Sequence, residues 1–134
     1  MRFQRAESPA LLDGYDAARR FFSSCFHSNG DARERLWVAH VDGAARCLHI
    51  EHYDGEPDSV TMPVRDIIID AARLGSAGLV LAHNHPGGEA RPSKADCLAT
   101  GKLARAAEAL DVTILDHLIF AGGDCASMRR MGLL

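Results

Sequence analysis

The chain has no hydrophobic run approaching the roughly 18 apolar residues that a membrane-crossing helix needs. Its start, MRFQRAESPA, carries no apolar stretch of the signal-peptide kind. A cytoplasmic protein without membrane association is expected. The four cysteines, Cys25, Cys47, Cys97 and Cys125, stand far apart with no C-x-x-C pair, which argues against a zinc knuckle or redox couple and for reduced, mostly buried thiols. Positive charge is not in excess either: 15 Lys and Arg against 18 Asp and Glu leave a net charge of -3. Strong nucleic-acid binding through bulk charge is therefore not expected, although RERL and MRR form small basic patches. No repeat, low-complexity tract or linker divides the sequence. Its length suits one domain that buries roughly 70% of the surface its unfolded form exposes.

The elements follow from periodicity. Ser8 and Pro9 make a helix start, and Leu11, Tyr15, Ala18, Phe22 and Phe26 recur at helical spacing, which predicts an N-terminal helix within residues 1–30. RLWVAHVDGAARCLHIEHY reads as a β-hairpin turning at Asp42-Gly43. MPVRDIIIDAARLGS has one apolar face, Val64, Ile67, Ile68, Ala71 and Leu74, behind an early proline and is a second helix. AGLVLA is apolar throughout, as in a strand covered on both faces, and His83 and His85 extend it. A third helix runs from Ser93 to near Leu110, VTILDHLIF is a further strand, and a turn capped by Ser127 closes the chain. The fold class is α/β (α+β), with helices packed on a small mixed sheet.

The stretch AHNHPGG concentrates the chemistry. Side chains alternate along a strand, so His83 and His85 share a face while Asn84 points away. Pro86 holds His85 extended, and Gly87-Gly88 lets the chain bend. On the third helix Asp96, Ala99, Leu103, Ala106 and Leu110 form one stripe, so an acid heads an apolar face. An unpaired carboxylate turned inward would cost several kcal/mol, on the order of the penalty for burying an ion, and a metal held by the two histidines would compensate it. PSKAD also reads as a capping box, Ser93 with Asp96, and the H-x-H as a polar turn; capping is compatible with ligation. Two histidines and an aspartate leave a fourth position open on zinc, as catalytic sites do. A carboxylate is then needed as general base. Glu51, on the hairpin's second strand, is the best placed because a strand holds a group rigidly, although it also fits a solvent-facing position. Asp54 and Glu56 follow it.

HNHP, PSKAD and DHLI together resemble the RadC-type branch of the JAB/MPN superfamily, whose zinc site is the JAMM motif: an upstream glutamate, then H-x-H-P, then S-x-x-D. The resemblance runs from about Leu36 to Leu134. It implies a curved mixed sheet flanked by helices, of cytidine deaminase-like architecture, and zinc held by His83, His85 and Asp96. Ser93 matches the serine that supports the oxyanion, and Glu51 the general base, with Glu56 as the competing assignment. HNHPGG replaces the common HNHPSG, and Gly55-Glu56 the common Gly-Thr. The function implied is a zinc-dependent metallohydrolase of the JAMM metallopeptidase type, which hydrolyses an amide or isopeptide bond of a peptide or protein substrate with a zinc-activated water. The alternative is a non-catalytic MPN-like scaffold that serves DNA repair or a protein partner. Longer relatives carry a helix-hairpin-helix region; the residues before the first strand here are too few for one, so residues 1–134 are expected to form a single domain. His117 reads as a core histidine or as one that orients a ligand. His40, His49 and His52 have no assigned role.

Overall fold

The structure, a computed structural model, describes residues 9–27, 33–55 and 62–134. In chain order it contains α1 (Tyr15–His27), β1 (Arg35–Val41), β2 (Cys47–Asp54), α2 (Val64–Leu74), β3 (Gly78–Asn84), α3 (Lys94–Glu108), β4 (Thr113–Ala121) and β5 (Asp124–Ser127). The strands make one sheet in the order β2-β1-β3-β4-β5. β3 and β4 are parallel and joined through α3, whereas the other neighbours are antiparallel. The mixed α+β sheet read from the sequence is the one observed.

Each face of the sheet has its own core. Leu36 and Val38 of β1, Leu79 and Leu81 of β3, and Ile114 of β4 pack with Ile67 and Ala71 of α2 and with Leu103 and Ala107 of α3. On the opposite face Ala39, Val41, Val80, Ala82 and Leu118 pack against Leu12 and against Ala18 and Phe22 of α1. β3 lies between β1 and β4 under both layers, so Leu79, Val80, Leu81 and Ala82 are all buried. A two-sided cover is what a continuous apolar run requires.

Four local expectations need correction. The first helix starts at Tyr15, while the chain before it is tied to the hairpin: Leu12 N–H donates to the Ala45 carbonyl and Cys47 N–H to that of Ala10, each at 2.8 Å. Ser8, the expected cap, lies outside the described residues. The hairpin does not turn tightly on Asp42-Gly43. The Asp42 carboxylate accepts from the Ala44 and Arg46 amides, each at 2.9 Å, and the left-handed position falls on Ala45, φ 66°. An Asx-type bond thus shapes a longer loop. On α3 the buried positions are Thr100, Leu103 and Ala107, so the inward stripe below Asp96 passes through Thr100 and Ala107, not Ala99 and Ala106.

The fourth correction adds a strand. DCAS pairs with the end of β4, across a Gly122-Gly123 turn in which Gly122 takes φ 61°, a conformation that glycine adopts without strain. The closing turn is capped as expected, with Arg130 N–H donating to Ser127 Oγ at 3.1 Å. Buried Asp116 anchors this end of the chain, accepting from Ser127 Oγ at 2.6 Å and Arg129 N–H at 3.1 Å.

Candidate metal centre

β3 ends in the H-x-H stretch. His83 is in the strand and buried, and His85 follows it, with its N–H donating to the Phe120 carbonyl of β4 at 2.9 Å. The chain then folds back, Gly88 N–H reaching the His85 carbonyl at 3.0 Å. α3 begins opposite, with Ser93 as its cap: Asp96 N–H donates to Ser93 Oγ at 3.0 Å, and Ser93 N–H donates to Asp96 Oδ2 at 2.8 Å. This capping box fixes the aspartate, so capping and convergence on the histidines occur together.

Three potential ligand atoms meet there. His83 Nε2 is 2.9 Å from His85 Nε2, and Asp96 Oδ2 is 3.4 Å from the first and 3.2 Å from the second. Ligands held about 2.0–2.1 Å from a tetrahedral zinc stand roughly 3.3 Å apart, so the spacing fits such an ion. Among the described residues this is the only His/Cys/Asp/Glu group of three or more that can hold a metal.

The other ring nitrogens support the same orientation. His85 Nδ1 lies 3.0 Å from the Glu89 carbonyl, which only accepts, so Nδ1 carries the proton and Nε2 is left for a metal. His83 Nδ1 lies 2.7 Å from Nε2 of His117, whose Nδ1 is in turn 2.7 Å from Thr100 Oγ1. Burial pushes the His117 pKa down to about 3, so the ring is neutral and has one proton to give. With His83 donating from Nδ1, His117 accepts at Nε2 and gives its one proton, on Nδ1, to Thr100 Oγ1. His117, read from the sequence as either core or orienting, is both buried and in contact with the His83 ring. Thr100 was missed; its signal is a hydroxyl one helical turn after Asp96.

Charge is arranged for a cation. Burial opposes ionisation of Asp96, but the adjoining His83 and His85 rings and the Ser93 N–H outweigh it and hold the carboxyl well below the usual carboxylate range. The hydrogen bond to Asp96 in turn raises the pKa of His85. A divalent ion bound at the same point would likewise place positive charge against the Asp96 carboxylate.

A cavity of about 360 Å³ opens over the cluster, lined by His83, His85, Asp96, Ser93, Met62 and Glu34, among others. Of the residues picked from the sequence, His83, His85, Ser93 and Asp96 are brought together. Glu51 is not. It lies on edge strand β2 opposite Val38, with β1 between it and β3. It accepts from His49 Nε2 at 2.8 Å and lines a separate hollow against α2 with Tyr53, Asp66 and Asp70. Glu56 lies outside the described residues.

The carboxylate at the cavity is Glu34, one residue before β1. Leu36 pairs with His83 in the antiparallel β1–β3 ladder, and continuing that register by two residues sets Glu34 opposite His85, on the same face. Its charge contributes to raising the His85 pKa. The available signal was order: the residue just before β1 meets the residue just after β3 once those strands are antiparallel neighbours.

These features define a class: an α+β domain that presents a two-histidine, one-aspartate cluster where a central strand meets a capped helix. The model of the RadC-like JAB domain family matches residues 12–133, and the chain belongs to that family. No helix among the described residues is long and apolar enough to cross a membrane.

Proposed function

We propose that this chain is a zinc-dependent hydrolase of the JAMM metallopeptidase type, acting on an amide or isopeptide bond in a peptide or protein substrate. The observation that carries the reading is the convergence of His83, His85 and Asp96 within ligand spacing, at a cavity that also contains a carboxylate and a hydroxyl. Zinc, when bound by three protein ligands, lowers the pKa of a coordinated water and polarises a carbonyl. Glu34 takes the proton of the attacking water and returns it to the leaving amine, the role that the sequence reading gave to Glu51. Positioned acid–base groups of this kind are worth about 10²–10⁴ in rate.

Ser93 supports the developing oxyanion. Its Oγ lone pair accepts the Asp96 N–H, which orients the hydroxyl and leaves its own proton to donate. Loss of one such donor costs about 10²–10³ in turnover. Leu36, Met62, Ala95 and Ala99, also at the cavity, exclude water from the reacting bond.

The test is metal analysis of the chain purified without added zinc, followed by assay on a panel of fluorogenic peptides and isopeptides. Wild type should hold one zinc and cleave. Glu34→Gln should retain zinc and lose hydrolysis. Absence of metal uptake at neutral pH would sink the reading, while stoichiometric zinc without cleavage of any substrate would favour the scaffold alternative.

A further inference from the structure

Glu34 stands one residue outside β1, where the β1–β3 ladder has already ended at Leu36 and His83. A single side chain replaces the ladder there. Asn84 Oδ1 accepts the Arg35 N–H at 2.8 Å, and Asn84 Nδ2 donates to the Arg33 carbonyl at 3.1 Å. One amide thus straddles Glu34, presenting an acceptor to the backbone on one side of it and a donor to the backbone on the other. From the β2 side, Gly55 N–H donates to the carbonyl of Glu34 itself at 3.0 Å. The backbone of residues 33–35 is held from both directions, and the Glu34 side chain is delivered to the cavity face.

We infer that Asn84 is a positioning residue for Glu34, an inference that rests on the hydrolase reading above. Strand alternation turns Asn84 to the opposite face from His83 and His85, so it acts through the backbone it grips and not on the metal. The side-chain type is restrictive. Aspartate keeps the acceptor but sets a carboxylate oxygen against the Arg33 carbonyl; leucine, of similar shape, supplies neither bond; serine is too short to span both.

The experiment uses cobalt-loaded protein and acetohydroxamic acid, which binds a metal as the bidentate acetohydroxamate anion after its hydroxyl proton passes to a neighbouring carboxylate, with binding read from the visible spectrum. Glu34→Gln should weaken acetohydroxamate by about tenfold or more, the value of a hydrogen bond to a charged group. Asn84→Leu should weaken it by a similar factor with cobalt affinity unchanged, and the double variant should be no weaker than Glu34→Gln alone. Asn84→Asp, which retains half of the bracket, should fall between. In the metal-free protein the Arg35 amide should exchange slowly in wild type and faster in Asn84→Leu.

Wild-type acetohydroxamate affinity in Asn84→Leu, factors that multiply in the double variant, or a parallel loss of cobalt affinity would each overturn the positioning role and leave Glu34 as base intact. Undiminished binding in Glu34→Gln would instead remove Glu34 from the chemistry, and the positioning role with it, even if Arg35 exchange confirmed the bracket.

Discussion

His83 and His85 lie at the C-terminal end of β3 with His117 of mid-β4 beside them, while His40 and His49 lie toward the opposite end of the same sheet face, where His40 pairs with Leu79. Both groups put two imidazoles near a carboxylate. In the second, His40 Nδ1 meets Ser76 Oγ at 2.9 Å and His49 Nε2 meets Glu51 at 2.8 Å, with the two rings 6.0 Å apart. His40 Nε2 is buried with no hydrogen-bond partner among the described residues. In the first, each Nδ1 is occupied and the two Nε2 atoms face one point together with Asp96. Convergence of lone pairs, and not the number of histidines, separates a group that can hold a metal from a buried polar cluster, and the partner of the second ring nitrogen decides where the lone pairs aim.

Deleting one imidazole at a time should give the largest difference between the two clusters. His83→Ala should abolish stoichiometric metal uptake, whereas His49→Ala should leave it intact, as measured by metal analysis after exhaustive dialysis. Equal loss in both would mean that the second cluster also binds. Next in size is the pair of carboxylates, one for each cluster: Glu34→Gln should lower turnover about 10²–10⁴-fold, and Glu51→Gln, whose contact with His49 is half-buried and remote from the cavity, should leave it within a factor of two or so. Activity that followed Glu51 instead would restore the assignment made from the sequence.

Acid should reveal the buried histidine of the second cluster through stability. Burial, reinforced by the nearby His49, pushes the His40 pKa down to about 4 from 6.5. The unfolded chain therefore takes up this proton first. The His40 contribution is complete above about pH 6.5, falls as the pH drops toward 4, and levels off below; it amounts to about 3 kcal/mol over the window. Denaturant titrations of metal-free protein at pH 7 and pH 4.5 should show a smaller acid loss in His40→Leu than in wild type. An unchanged loss would assign the sensitivity elsewhere, with His117, pushed down to about 3 by burial, as the next group to test.

What was legible in the sequence was local. The two histidines share a face because of strand alternation, and Asp96 is set by the cap it makes with Ser93; both relations lie within a few residues, and both are observed. Glu34 could not be found that way. Glu51 and Glu34 both belong to the hairpin, and the difference between them is which hairpin strand lies beside β3, a long-range pairing that hydrophobic pattern does not encode. Thr100 was lost to a one-position shift of the helical stripe, which a run rich in alanine specifies weakly because many small apolar residues leave several faces nearly equivalent. β5 was lost because four residues are too few for a period.

The finest comparison concerns two hydroxyls. Thr100 and Ser76 each sit 2.7–2.9 Å from Nδ1 of a buried histidine, His117 and His40 respectively. Deleting either hydroxyl leaves a buried ring nitrogen unsatisfied, so Thr100→Val and Ser76→Ala should each destabilise the fold by about 1–3 kcal/mol. Stability alone would not tell them apart. Metal affinity should, because only Thr100 fixes a ring that holds a ligand: without it His117 can adopt the other tautomer, present Nε2–H to His83 Nδ1, and force that ligand to turn or to change its own tautomer. Loss of such an outer partner weakens metal binding about 10–100-fold. Competition with a chromophoric chelator at pH 7.5 should therefore show this loss in Thr100→Val and none in Ser76→Ala. Equal affinities in the two variants would mean that the Thr100–His117–His83 chain is packing alone, and that the position of His83 is set by β3 without it.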